Sequence, residues 1–226
     1  MNNVLFSKAG VATQIVLDNI LVDVGDGTLR DLLAAKYDFE DLDIILITHG
    51  HYDHMGGLQS LLGYLRMMGR TSLLTIVHPG ACEVDVLIAG FYKCYKDTIP
   101  YQIKVVHAED RKMYKFDSAE IQPFFVQHAG STAQGVLSPI PAAGYRIYQD
   151  DKIYAVTGDS GMCEPLKVLV SGADTAFIEA TWTKERKERL TKKYGDIEED
   201  MLTVHLSEEQ AHELGRLAKN YVIIHK

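Results

Sequence analysis

The chain has 226 residues, 46% of them hydrophobic and 24% charged, with a net charge of −8 and an isoelectric point near 5.6. That composition supplies a sizeable core and gives no global attraction for nucleic acid, leaving only a local basic patch for that purpose. No run approaches the ~18 apolar residues of a membrane span, MNNVLFSKAG lacks the basic-then-apolar order of a signal peptide, and three cysteines without a CxxC pair (Cys82, Cys94, Cys163) suggest neither a disulfide framework nor a thiolate zinc knuckle.

A soluble cytoplasmic protein with no membrane partner is expected. VATQIVL (11–17) and NILVDVG (19–25) read as paired strands around a turn at Asp18-Asn19. TLRDLLAAK has helical spacing, DIILIT is a short buried strand, and GLQSLLGYLRMM is a second helix. LLTIVHP, IKVVHA, MYKF and AEIQPFFVQH read as strands, the last broken by Pro123. GYRIYQ and KIYAVTG form a hairpin about Asp150-Asp151, followed by a helix at 164–171 and the strand TAFIEAT. TKERKERLTKKYG is a charged helix, SEEQAHELGRLAKN carries a capping box of Ser207 and Gln210, and YVIIH is a final strand. With no linker or repeat, residues 1–226 are expected to form one α/β domain.

After the apolar run DIILI, the stretch THGHYDHMGGL (48–58) places His49, His51, Asp53 and His54 within six positions. At a strand end His49 and His51 project to one side, because side chains alternate with period two, and Gly56-Gly57 allow tight backbone passage. Imidazole and carboxylate are ligands that zinc, manganese or iron accept.

HxHxDH at a strand end resembles the metallo-β-lactamase superfamily, whose fold is a four-layer αββα sandwich with a two-metal site. In that family's order, FFVQHAG supplies His128, YAVTGDSG supplies Asp159, YVIIHK supplies His225 and VDVGDGT supplies Asp23. The resemblance implies that His49, His51 and His128 hold one divalent metal ion, and Asp53, His54 and His225 the other. Asp159 and a nucleophilic hydroxide would bridge the two, and Asp23 would orient a ligand imidazole from behind. Zinc is the expected ion, with manganese or iron as alternatives.

Three further stretches resemble the ribonuclease Z branch. FIEATW (177–182) is similar to its HEAT loop, with Ile178 where that branch has His, and VHLSEEQA (204–211) to its HST loop, with Leu206 in place of Ser. PAAGYRI (141–147) is similar to the segment before its hairpin. The resemblance assigns His205 as general acid and Glu179 as its orienting carboxylate, and places Asp53 with them among the catalytic residues. Two features depart from that branch. The interval between His128 and Asp159 holds thirty residues (129–158), filled by loop and hairpin rather than a long tRNA-binding arm, and no PxKxRN motif occurs.

A binuclear hydrolase of small phosphodiesters or nucleotides is therefore expected, with tRNA a poor substrate and a homodimer left open. A carboxyl-ester hydrolase (lactonase or thioesterase) and a ribonuclease Z-type RNA endonuclease are the rival activities, and a non-catalytic scaffold is the rival class. The basic run TKERKERLTKK (183–193) either attracts a phosphate or forms a solvated helix face. His78, His107 and His212 receive structural readings. Met55, Met67 and Met68 are read as packing, Cys163 lies close after Asp159, and Tyr52 is placed to flank substrate.

Overall fold

In the computed structural model, which describes residues 3–132 and 135–226, the chain divides into two units, Met1–Ala108 and Glu109–Lys226. The N-terminal unit is built on a six-stranded sheet whose spatial order follows the chain. Its strands are β1 (Val4–Lys8), β2 (Ala12–Leu17), β3 (Ile20–Val22), β4 (Ile44–Leu46), β5 (Leu74–His78) and β6 (Ile103–His107). β1 to β3 are antiparallel, and β3 to β6 are parallel. The expected hairpin forms with Leu17 opposite Ile20, and Asp18 takes a left-handed φ of 50°, which aspartate tolerates in a tight turn. β3, β4 and β5 are buried along their whole length, as parallel strands covered on both faces must be.

Helices α1 (Thr28–Ala34), α2 (Tyr52–Met55), α3 (Leu58–Met68) and α4 (Cys82–Tyr95) accompany this sheet. α3 buries Leu58, Leu61, Leu62 and Leu65, a helical stripe that joins Ile45, Ile76, Val84 and Phe91 in one core. Met55 belongs to that core, but Met67 and Met68 do not. They sit on the last turn of α3 and are exposed, so the packing expectation holds for Met55 alone.

The C-terminal unit contains β7 (Tyr114–Lys115), β8 (Glu120–Phe125), β9 (Ala129–Thr132), β10 (Gly135–Pro139), β11 (Ala143–Gln149), β12 (Lys152–Val156), β13 (Thr175–Glu179) and β14 (Tyr221–Ile224). Its helices are α5 (Glu164–Val170), α6 (Lys184–Tyr194), α7 (Glu198–Leu202) and α8 (Glu208–Gly215). A six-stranded sheet runs β14-β13-β12-β11-β8-β7, and β9 pairs with β10 separately. The hairpin about Asp150 and Asp151 forms with both residues at positive φ, the geometry that matches strand twist in two-residue turns. The capping box of Ser207 and Gln210 is complete at the start of α8.

Pro123 does not break its strand. β8 runs through it, with Pro123 opposite Tyr145 of β11. The Pro123 carbonyl accepts from the Arg111 amide on the far side from β11. In an antiparallel strand the nitrogen and carbonyl of one residue point the same way, so the missing N–H removes no bond from the β8–β11 ladder. Strand β1, helices α2, α4 and α7 and the β9–β10 pair lie outside the elements read from the sequence. Among the described residues, no helix is long and apolar enough to cross a membrane.

The largest fully buried side chain is Arg70, just past α3. Its guanidinium donates to the carbonyls of Phe39 at 2.6 Å, Leu42 at 2.5 Å, and Glu40 and Leu73 at 3.3 Å each. It thereby satisfies the loop that leads into β4. Arg70→Met would leave those carbonyls without their donor, and each buried orphan costs about 1–3 kcal/mol. Urea denaturation should show a loss of at least ~2 kcal/mol. A loss under about 0.5 kcal/mol, the usual range for surface substitutions, would mean that water replaces the guanidinium.

Candidate functional site

The histidine-rich loop begins two residues after β4, so His49 and His51 lie beyond the strand end rather than on it. Their rings nevertheless converge, with His49 Nε2 2.9 Å from His51 Nδ1. Asp53 and His54 follow on α2, His54 Nε2 lying 3.8 Å from Asp53 Oδ2. Asp53 Oδ2 accepts the Gly10 amide at 2.8 Å, and the Tyr52 hydroxyl donates to the Gly10 carbonyl, so the β1–β2 turn holds this helix from both sides.

Asp23, directly after β3, has no exposed surface and a left-handed φ of 59°. Its Oδ1 accepts the Thr48 amide at 2.8 Å, and its Oδ2 lies 2.7 Å from His54 Nδ1 and 3.0 Å from the Thr48 hydroxyl. The Thr48 hydroxyl is also 3.1 Å from His49 Nδ1. In neutral imidazoles these contacts place the protons of His49 and His54 on Nδ1 and leave a lone pair on each Nε2. The backbone here is closely packed. A methyl on Gly25 would lie 2.4 Å from the Asp53 carbonyl oxygen, and one on Gly57 would lie 2.3 Å from that of Gly25. Only glycine fits at these two positions.

In the C-terminal unit β8 is antiparallel to β11, which is antiparallel to β12, so β8 runs in the same direction as β12, β13 and β14. His128, Asp159, Thr181 and His225 follow the ends of those four strands and therefore share one edge of the sheet, where α/β sheets bind ligands. His128 Nδ1 donates to the Val204 carbonyl at 2.9 Å. The Thr181 hydroxyl donates to the His225 carbonyl at 3.0 Å and lies 2.8 Å from His225 Nδ1, so it accepts that proton. Both histidines thus also carry their lone pair on Nε2. Asp159 lies between two rings, its Oδ1 3.3 Å from His225 Nδ1 and its Oδ2 3.8 Å from His205 Nδ1. His128, Asp159 and His205 each offer an atom within 4.8 Å of the others. The Nε2 lone pairs of His128 and His225 and the Asp159 carboxylate are donors of the kind a divalent cation accepts, whereas His205 has a different environment.

Glu179, the last residue of β13, is fully buried and accepts the amides of Ser160, Thr181 and Leu206 at 3.1, 2.6 and 3.0 Å. Its Oε1 also holds His205 Nδ1 at 3.1 Å. Burial by itself would push the His205 imidazole down. The charge of Glu179, its hydrogen bond and the charge of Asp159 outweigh that and hold it above its ordinary value of 6.5, with Arg186 opposing.

The family model described as the β-lactamase superfamily domain matches residues 18–225. The chain belongs to the metallo-β-lactamase superfamily. A curated relative, ribonuclease Z of Archaeoglobus fulgidus, is 32% identical over 59% of this chain and 39% of its own length. Ribonuclease Z of a Bradyrhizobium species is 28% identical over 83% of this chain and 75% of its own. The crystal structure of the short form of human tRNase Z superimposes with a TM-score of 0.73 at 18% identity, covering 99% of this chain and 91% of that one. The fold is thus the α/β metallo-β-lactamase fold. The chain spans well under half the length of the Archaeoglobus relative.

Against the ribonuclease Z pattern, the replacements at Ile178 and Leu206 have a local reason. Ile178 and Leu206 are both fully buried and belong to the apolar core of the C-terminal unit, with Leu166, Leu169 and Leu214. The basic helix α6 buries no residue, and Lys187 pairs with Glu198, as on a solvated face. The depression beside it is lined by Glu185, Glu188 and Glu208 as well as Lys184 and Lys226, which offsets any attraction for phosphate. Tyr52 is exposed, His212 contacts the Tyr221 hydroxyl on the surface, and Cys163 Sγ lies 3.6 Å from Ser160 Oγ.

Sequence reasoning missed Thr48, Thr181 and Gly10, which fix the donors through their hydroxyls and backbone. For the threonines a signal existed, since each adjoins a recognised motif.

Because the folded His205 is raised, the stabilisation from its pairing with Glu179 is complete below pH 6.5 and fades as pH rises through the raised value. Glu179→Gln should lower the His205 titration midpoint, followed by its imidazole NMR signals. The melting deficit of the variant should shrink toward alkaline pH. An unshifted midpoint would show that the carboxylate does not control this proton.

Proposed function

We propose that this chain is a metal-dependent hydrolase of phosphoric diesters, acting on small phosphodiesters or nucleotides. What supports this reading above all is the Glu179–His205 pair beside Asp159. Hydrolysis of a carboxyl ester has less need of a second acid beyond the metal donors, whereas a phosphodiester leaves as a poor alkoxide that requires a proton. A buried imidazole held above its ordinary pKa is suited to donate it, and the fully hydrogen-bonded Glu179 fixes the direction of that donation.

The two units would act as one domain. Following the family, His49, His51 and His128 would hold one ion, Asp53, His54 and His225 the other, and Asp159 would serve both. Asp23 would orient His54, and Thr48 and Thr181 would orient His49 and His225. Zinc is the expected ion on the donor chemistry. When bound, such ions act as Lewis acids and depress the pKa of nearby water.

The relatives' names favour a second reading, cleavage of RNA. Against tRNA stand the acidic chain and the interval 129–158, where β9 to β12 take up most of the length. A panel of bis(p-nitrophenyl) phosphate, cyclic nucleotides, an RNA with a 3′ extension, a homoserine lactone and a thioester, assayed with zinc and with manganese, separates these readings. Turnover of the lactone or thioester alone would overturn the phosphodiester assignment.

His205→Ala should lose about 10²–10⁴-fold in kcat on an alkyl phosphodiester and far less on a p-nitrophenyl ester, whose leaving group departs without a proton. Equal losses would reject the general-acid role. Asp159→Ala should abolish turnover of both and reduce the bound metal. Full activity in that variant would remove Asp159 from the centre.

A further inference from the structure

The N-terminal unit holds a second cluster of metal-type side chains that the proposed reaction does not use. β5 and β6 are parallel neighbours, and their last residues, His78 and His107, are paired directly. Their rings pack edge to face with centroids 4.7 Å apart. Asp85, from the first turn of α4, reaches both. Its Oδ1 lies 3.4 Å from His78 Nε2 and 3.0 Å from His107 Nε2.

His78 has no exposed surface, yet neither of its ring nitrogens has a hydrogen-bond partner among the described residues. A buried polar group left in that condition costs free energy that a bound ligand would recover. Burial pushes the His78 imidazole down, His107 adds to this, and the nearby Asp85 carboxylate opposes it. The net result favours the neutral, ligating form. The side chains of His107 and Asp85 are 59% and 41% exposed, so the cluster is open to solvent on one side.

We infer that His78, Asp85 and His107 form a site for one divalent cation of the zinc class, separate from the donors assigned to the reaction. The three donor atoms lie within 4.8 Å of one another. The 3.0 and 3.4 Å separations are close to the ~3.3 Å between ligands on a tetrahedral ion with bonds of about 2.0–2.1 Å. Two imidazoles and one carboxylate favour zinc, cobalt, nickel or copper over magnesium and calcium, and water completes the shell from the open side. The ion would tie the first turn of α4 to the ends of β5 and β6. Glu83, on the same turn, packs against Gly50, where a methyl would come within 2.2 Å of its Oε2. Occupancy would therefore stiffen the support of the loop that carries His49 and His51.

The test compares the full chain with its His107→Ala and Asp85→Asn variants, each stripped with a chelator, dialysed against zinc and measured by elemental analysis. His107 is exposed enough for the truncation to leave folding intact, and Asp85→Asn preserves shape. Both variants should retain one zinc equivalent fewer than the unaltered chain, whatever the reaction donors bind. In the unaltered chain, the ring 15N resonances of His78 and His107 should shift as that equivalent is added. Unchanged stoichiometry and affinity in both variants, with His78 resonances that ignore zinc, would overturn the site and leave a His–Asp–His cluster without an ion.

Discussion

A carboxylate that has lost all contact with water must be surrounded by donors, because an uncompensated buried charge costs several kcal/mol. Asp23 and Glu179 are both in that position. Glu179 satisfies it with three amides and one imidazole, drawn from the segments after β12, after β13 and before α8. Those segments are separate in sequence and meet around this charge. Asp23 does the same for the segment after β4, through the amide and hydroxyl of Thr48 and the ring of His54. In each unit one buried anion sets where the loops lie, and the chemistry-bearing side chains take their positions from it.

Parallel strands deliver the rest. Because β3 to β6 point one way, and β8, β12, β13 and β14 likewise in the other unit, the residues that follow them collect at one edge of each sheet. Small hydroxyls and carbonyls there decide which nitrogen of each imidazole keeps its proton. The arrangement separates two tasks. The histidines whose Nδ1 proton is held from behind present the Nε2 lone pair and are suited to a cation, whereas His205, with its Nδ1 against Glu179, is suited to hold a proton.

What could be read in the sequence was what is local. The HxHxDH cluster, the Asp150-Asp151 turn and the Ser207–Gln210 box each declare themselves within six residues, and each is present. Helix α4 was overlooked because its buried positions Val84, Ile88 and Phe91 are interspersed with exposed apolar ones such as Val86. Pro123 misled because its effect depends on which neighbour its nitrogen faces, a property of the sheet rather than the segment. Gly10 and, apart from the nearby Leu73 carbonyl, Arg70 find their partners 28–43 residues away, and nothing in their immediate context marks them.

The contact between Gly25 and Gly57 bears on dynamics. The two backbones touch with no side chain between them, and the Val24 amide donates to the His54 carbonyl while the Gly57 amide donates back to that of Val24. By secondary structure most of this is loop. In terms of hydrogen exchange it belongs with the core, since these amides cannot reach solvent without separating segments that pack directly against β2 and α2. The amides that flank Asp53 and His54 should therefore exchange with the core rather than with the surface loops.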